Sequence, residues 1–408
     1  MSDTSPAPAE LQTGSKPLPT RAELHARLKP FARASSFQGY KSFAVDAALY
    51  AVGIAAVMLV EGTAWKIAGG TLAGLALVNL GSLSHEAAHK ALVKSRLGNK
   101  ALAVATMTMC LFNYRLWIYD HHVLHHGRTN VKDNNFLSPI SLGEYRARGP
   151  LRRAIYRAYH SQLGLGVLLY FLLERWPKVH FWPGAWLPQR FHASALGYTA
   201  LLSVYIASLL GLMVFASTGS VLTSVLCGFV LPYTIWFTTF SMTVFLQHTN
   251  PRVRWYRDVS SIGNAPEALS VHVVMPGPIN HVTHYAMEHP VHHVSAMIPH
   301  YRLKQAQAAL AGIAQPDIVV MPFTIGNMRD VLRRCRLYDY EAHAWLDFSG
   351  EVTAVPRDET RLRPGGKEDP YGGLLPDQAN PGSPGIFFPE RRPEAEAEPA
   401  VSTRREDA

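Results

Sequence analysis

Four long apolar runs punctuate the chain: residues 44–60 (AVDAALYAVGIAAVMLV), 64–83, 194–216 and 219–246. Each reaches or approaches the roughly 20 residues that a membrane-spanning helix needs. Stretches such as LLSVYIASLLGLMVF (201–215) carry no polar face at helical period, so a soluble core does not account for them. The linkers EGTAWK (61–66) and ASTGS (216–220) are short and nearly neutral, which predicts two helical hairpins. Segments 101–119 and 162–174 are apolar but broken by charge or too short to span, and LRRAIYRAY (151–159) is basic and amphipathic. All three are expected at the membrane surface or as re-entrant helices. The expected fold is an all-α integral membrane protein, with four transmembrane helices as two hairpins, interfacial helices and a cytoplasmic cap.

Charge adds a direction. The 408 residues carry a formal net charge of +9, and Arg and Lys concentrate in the N-terminal arm, 84–160, 175–190 and beyond 250. The positive-inside bias puts all of these on the cytoplasmic side of a multi-pass protein, in the inner membrane if the source is bacterial. Anionic headgroups of the lipid bilayer account for the charge, and no nucleic-acid recognition motif accompanies it. No positively charged stretch followed by a short apolar run and a small-residue cleavage site opens the chain, so the first run is expected to serve as the anchor. The expected organisation is an N-terminal arm, partly disordered, over 1–40, a membrane domain over 41–350 and a disordered tail over 351–408. Cys110, Cys227 and Cys335 are isolated, which excludes a disulfide framework and an iron–sulfur or rubredoxin module. Any redox partner is then a separate protein.

Histidine carries the chemistry. Of 19 histidines, twelve fall in the windows 85–126 and 281–300, all on the side assigned to the cytoplasm. In HEAAH, His85 and His89 share a helix face, as two ligands of one metal would. With Glu86 as general base the same five residues read as an intramembrane zinc protease, a reading that leaves the other histidines idle. In YDHHVLHHGRTN, His122, His125 and His126 fall at i, i+3, i+4 and share one α-helical face, while His121 lies about 100° away and is left out. EHPVHHVSAMIPHY repeats the spacing with His289, His292 and His293, with a helix expected from Pro290 and His289 at its N-cap. His248 in FLQHTNP adds one more at the same membrane face. Nine imidazoles exceed what one ion takes and argue for two, with iron, zinc, copper and nickel all compatible. Glu86, Asp120, Asn130, Asp133 and Glu288 are placed to orient the rings, His281, His284 and His300 to flank them. His25, His160, His180, His192, His272 and His343 receive no role. A metal transporter would place histidines inside the spans, which are almost free of ionisable residues.

The combination of HxxxH, HxxHH followed by GRTN, and a late HxxHH followed by MIPHY, set around two hairpins, resembles the membrane fatty acid desaturases over residues 40–310. QHTNP and HHVSAMIPHYRL resemble segments of the omega-6 and omega-3 acyl-lipid desaturases in particular, although Val294 and Ser295 replace the usual leucine and phenylalanine. The resemblance implies a non-haem di-iron enzyme with His85, His89, His122, His125, His126, His248, His289, His292 and His293 as ligands. It also implies dioxygen as co-substrate and a fatty acyl substrate, free or carried by CoA, carrier protein or phospholipid. Electrons would come from a ferredoxin, a rubredoxin or a small haem protein. Hydroxylases, acetylenases and terminal-alkene-forming decarboxylases share the scaffold, so the outcome at carbon stays open at this point.

Overall fold

A computed structural model describes residues 19–132, 137–162, 164–258, 269–314 and 318–356. Among the described residues, four helices are long and apolar enough to cross a membrane: Ser36–Leu59, Thr63–Ala88, Gln189–Phe215 and Val221–His248. They coincide with the four apolar runs. The second span is the central one, with 67% of its apolar window buried against 22% for the first and third. Its glycines show why. A Cβ on Gly69 would sit 2.7 Å from the Gly53 carbonyl of the first span, and one on Gly70 would sit 2.0 Å from the Cys227 carbonyl of the fourth. Small residues let helix backbones approach closely where lipid supplies no hydrophobic drive between them.

The two hairpin turns lie together at one end. Thr218 N–H donates to the Met58 carbonyl at 2.8 Å, and the buried Lys66 ammonium donates to the Val57 carbonyl and to Ser224. His85 and His248 therefore close the opposite ends of their spans, on one common side.

Between the hairpins, the helix Arg96–Met109 turns by 113° into Tyr114–His125. Leu111, in the left-handed region at φ 57°, makes the turn, and Asn113 caps the new helix by accepting from the N–H groups of Arg115 and Leu116. Indole N–H groups of Trp176 and Trp236 satisfy the carbonyls of Leu111 and Cys110 left open by the bend. The helix Arg21–Leu28, started by a Thr20–Glu23 capping box, packs Leu24 and Leu28 against Val291, Val294 and Ile298. The N-terminal arm thus buttresses the third histidine box.

Among the described residues, five short strands accompany the helices. Val271–Val274 pairs in parallel with Val319–Pro322, and Leu337–Asp339, Ala344–Leu346 and Val352–Ala354 form an antiparallel sheet. The last strand lies beyond the boundary expected at 350, because its backbone completes a sheet that buries Trp345 and Tyr338. The remainder of the expected tail, from 357, lies outside the described residues, as do residues 1–18.

Candidate metal centre

Two groups of imidazoles converge where the spans end. His85, His89, His121, His126 and His292 form one, His125, His248, His289 and His293 the other, and within each group the candidate ligand atoms all lie within 4.8 Å of one another.

Box one sits at the end of the second span, with His89 at the helix C-cap and Lys90, at φ 61°, turning the chain away. Box two lies on a π-helical segment, Tyr119–His125. His126 N–H donates to the His121 carbonyl at 3.0 Å, so residues five apart come into line. That changes the face. An α-helical spacing excludes His121 and includes His122; the wider turn brings His121 Nε2 to 2.9 Å from His85 Nε2 and 3.1 Å from His126 Nε2. His122 instead lies beside the group, its ring centroid 4.2 Å from that of His89. The other eight predicted ligands are all in the two groups.

The third box lies on His289–Val294, a helix that begins one residue earlier than expected, with Glu288 rather than His289 at its N-cap. Such ends shift easily by a residue, and every residue of this helix is buried. Gln307 Oε1 accepts from Val291 N–H at 3.0 Å, and Gln247 donates to the Ala286 carbonyl at 2.8 Å, which ties the box to the fourth span. His248 Nδ1 lies 3.2 Å from Asn130 Oδ1; with its N–H donated there, Nε2 keeps its lone pair for a metal. Asn130 adopts φ 54°, a conformation that asparagine tolerates better than most residues.

Of the other carboxylates expected to orient the rings, the three among the described residues each brace a neighbouring segment. Glu86 accepts from His300 Nδ1 at 2.9 Å, Asp120 from Arg175 at 2.5 Å, and Glu288 from Asn280 at 2.9 Å, with His272 Nε2 at 2.7 Å. Asp133 lies outside the described residues. With its carboxylate committed to His300, Glu86 is poorly placed as the general base of a zinc protease. His284 meets Asp46 at 2.7 Å and His281 meets the Tyr285 hydroxyl at 2.9 Å; neither joins a group. Asp46 is the site-supporting residue that sequence reasoning passed over, although an ionisable side chain inside an apolar run is itself a signal.

The nitrogens fit metal ions. In the second group the Nε2 atoms of His248, His289 and His293 stand 2.8, 2.9 and 3.3 Å apart. Three lone-pair-bearing atoms facing one another in this way lack enough protons to satisfy all of them, whereas ligands ~2.1 Å from a shared ion stand roughly 3.0–3.4 Å apart. The Nε2 atoms of His89 and His122 are buried with no hydrogen-bond partner among the described residues. Burial first, and neighbouring imidazoles second, hold His289, His292 and His293 well below the usual histidine pKa, in the neutral form that ligation requires. The groups differ in depth: four members of the five-membered group are only partly buried, and all of the second group is buried.

A cavity runs from these rings between the spans, walled by Phe112, Trp117, Trp236, Phe240 and Val244. Its apolar shape suits an alkyl chain, with His85, His121 and His292 at the metal end.

The family model described as fatty acid desaturase matches residues 63–324. An sn-1 oleoyl-lipid 12-desaturase of Synechocystis sp. (strain ATCC 27184 / PCC 6803 / Kazusa) is 25% identical over 297 residues, covering 67% of this chain and 76% of the relative. An sn-1 acyl-lipid omega-3 desaturase (ferredoxin) of Nostoc sp. (strain 36) is 25% identical over 230 residues, 56% of this chain and 62% of the relative. A chloroplastic omega-6 fatty acid desaturase of Spinacia oleracea is 23% identical over 290 residues, 68% and 60%. The match begins at the second span and runs through all three histidine boxes and both imidazole groups, and on that ground the chain belongs to the fatty acid desaturase family.

Proposed function

We propose that the chain is an oxygen-dependent di-iron desaturase that introduces a double bond into a lipid-linked acyl chain. The observation that carries this reading is the pair of imidazole groups at the end of an apolar cavity. The first ion would be held by His85, His89, His126 and His292 with His121 and His122 beside them, the second by His125, His248, His289 and His293. An unactivated methylene has no acidic proton and no leaving group; a bound metal pair supplied with dioxygen and two electrons provides the oxidant that side chains lack.

The protein's part is placement. Trp117, Trp236 and Phe240 wall the cavity beside the imidazoles, and an acyl chain lying against them would face the metal end and displace water. Asn130 fixes the tautomer of His248, and the Glu86–His300 and Asp46–His284 pairs hold the segments that enter and leave the site. Electrons come from a separate donor, and a ferredoxin, named for the Nostoc relative, is the donor proposed. Lys90, Lys94, Arg96 and Lys100 are exposed immediately after His89 and give an acidic donor a landing face close to the first group. The protein is multi-pass, with this face toward the cytoplasm.

Gas chromatography and mass spectrometry of lipids from a bacterial host test the reading, with His126→Ala in parallel. New unsaturated acyl chains, found with the natural sequence and absent with the variant, are expected. Hydroxylated chains or terminal alkenes would move the assignment to another outcome on the scaffold; an unchanged profile with one zinc and no iron in the purified protein would overturn it.

A further inference from the structure

His180 is 1% exposed, and neither of its ring nitrogens has a hydrogen-bond partner among the described residues. Leaving buried polar atoms unpaired is costly, and such groups in native proteins almost always have a partner. The ring lies flat on Phe112, centroids 4.3 Å apart at 15°, with Phe171 and Phe240 at 5.5 and 6.1 Å, and it lines the same cavity as His85 and His121. Its direction follows from a second π-helical segment, Phe171–Phe181, which brings His180 into line with Arg175, five residues earlier and also on the cavity wall. Arg175 is engaged with Asp120, and the surrounding rings of phenylalanine offer nothing to an imidazole nitrogen. Burial, then the Arg175 guanidinium, hold the His180 pKa well below the ordinary value, so the ring presents one N–H and one lone pair. A neutral imidazole can donate to either kind of oxygen, but the phenylalanine rings packed around it make burial of a carboxylate or phosphate costly and favour a neutral oxygen.

We propose that His180 is a substrate-recognition residue that hydrogen-bonds a neutral oxygen function of the chain in the cavity, either the ester carbonyl at its head or a hydroxyl along its length. The proposal rests on the acyl-chain reading of the cavity. A pure hydrocarbon would leave the imidazole unpaired, so the residue favours an oxygenated substrate.

Trp117 and Trp236 line the cavity and report its occupancy by fluorescence. The full-length, metal-loaded protein in nanodiscs is titrated with three probes of equal chain length: an alkane, its fatty acid methyl ester and the methyl ester with a mid-chain hydroxyl. The natural protein should bind an oxygenated probe roughly three- to tenfold more tightly than the alkane. His180→Phe should erase that preference while alkane affinity, the control for folding, persists, and His180→Gln should restore it. A preference already complete with the plain ester assigns the carbonyl, and one gained only with the hydroxylated ester assigns the hydroxyl. Equal affinity for all three probes, or a preference that survives in His180→Phe, overturns the proposal while leaving the acyl reading intact. Failure of the natural protein to bind any probe overturns the acyl reading itself.

Discussion

Ligand histidines must stay unprotonated, and the same burial that secures this makes the metal-free protein acid-sensitive. His289, His292 and His293 have pKa values depressed in the folded state, first by burial and then by one another. As pH falls below the unfolded value of about 6.5, the unfolded chain takes up protons first and folding stability is lost. His300 has the opposite sign: burial disfavours its charge, but Glu86 and Asp46 outweigh it and raise its pKa, so its contribution is present at low pH and lost as pH rises through the folded value. Three depressed groups outnumber it. The unfolding midpoint of chelator-treated protein should therefore drop between about pH 7.5 and about pH 5.5, followed by circular dichroism; a flat profile would count against neutral burial of these rings. At this scale the sequence was most legible in the convergence of the histidines, eight of the nine expected ligands falling in the two groups, because i, i+3, i+4 spacing is read directly from the residues. That His121 lies within the first group and His122 beside it was not legible, since the same letters fit an α or a π turn.

Elements explain the residues that sequence alone left without work. The four apolar runs and both hairpins were readable because a span requires a long run of one polarity. The 113° bend and the second π segment were not, since they depend on indole donors and on partners far along the chain. The Asp120–Arg175 pair, both side chains buried, joins the segment carrying box two to the interfacial segment 55 residues later. Arg175→Met strands a carboxylate in the interior and should cost about 3–5 kcal/mol. Arg175→Met with Asp120→Leu removes both charges and should recover most of that loss, measured as thermal unfolding in detergent. A double variant as unstable as the single would show that the pair does not act as a unit.

For the whole molecule, both hairpin turns meet at one end and all three boxes at the other. Cys110, Cys227 and Cys335 are buried, so a single cysteine introduced on the surface can report its side of the membrane. Ser220→Cys, at an exposed turn position, should react with an impermeant maleimide from outside intact cells, and Arg152→Cys, also exposed, only after lysis. The reverse pattern would invert the molecule. Depth has a consequence of another kind. Four imidazoles of the five-membered group are partly open while all four of the second group are buried, so ions held by the two groups should exchange at different rates. Incubated with isotopically labelled metal, the loaded protein should exchange one equivalent quickly and the second only on the timescale of backbone opening. Repair, mismetallation and poisoning by a foreign ion would then all begin at the same one of the two positions.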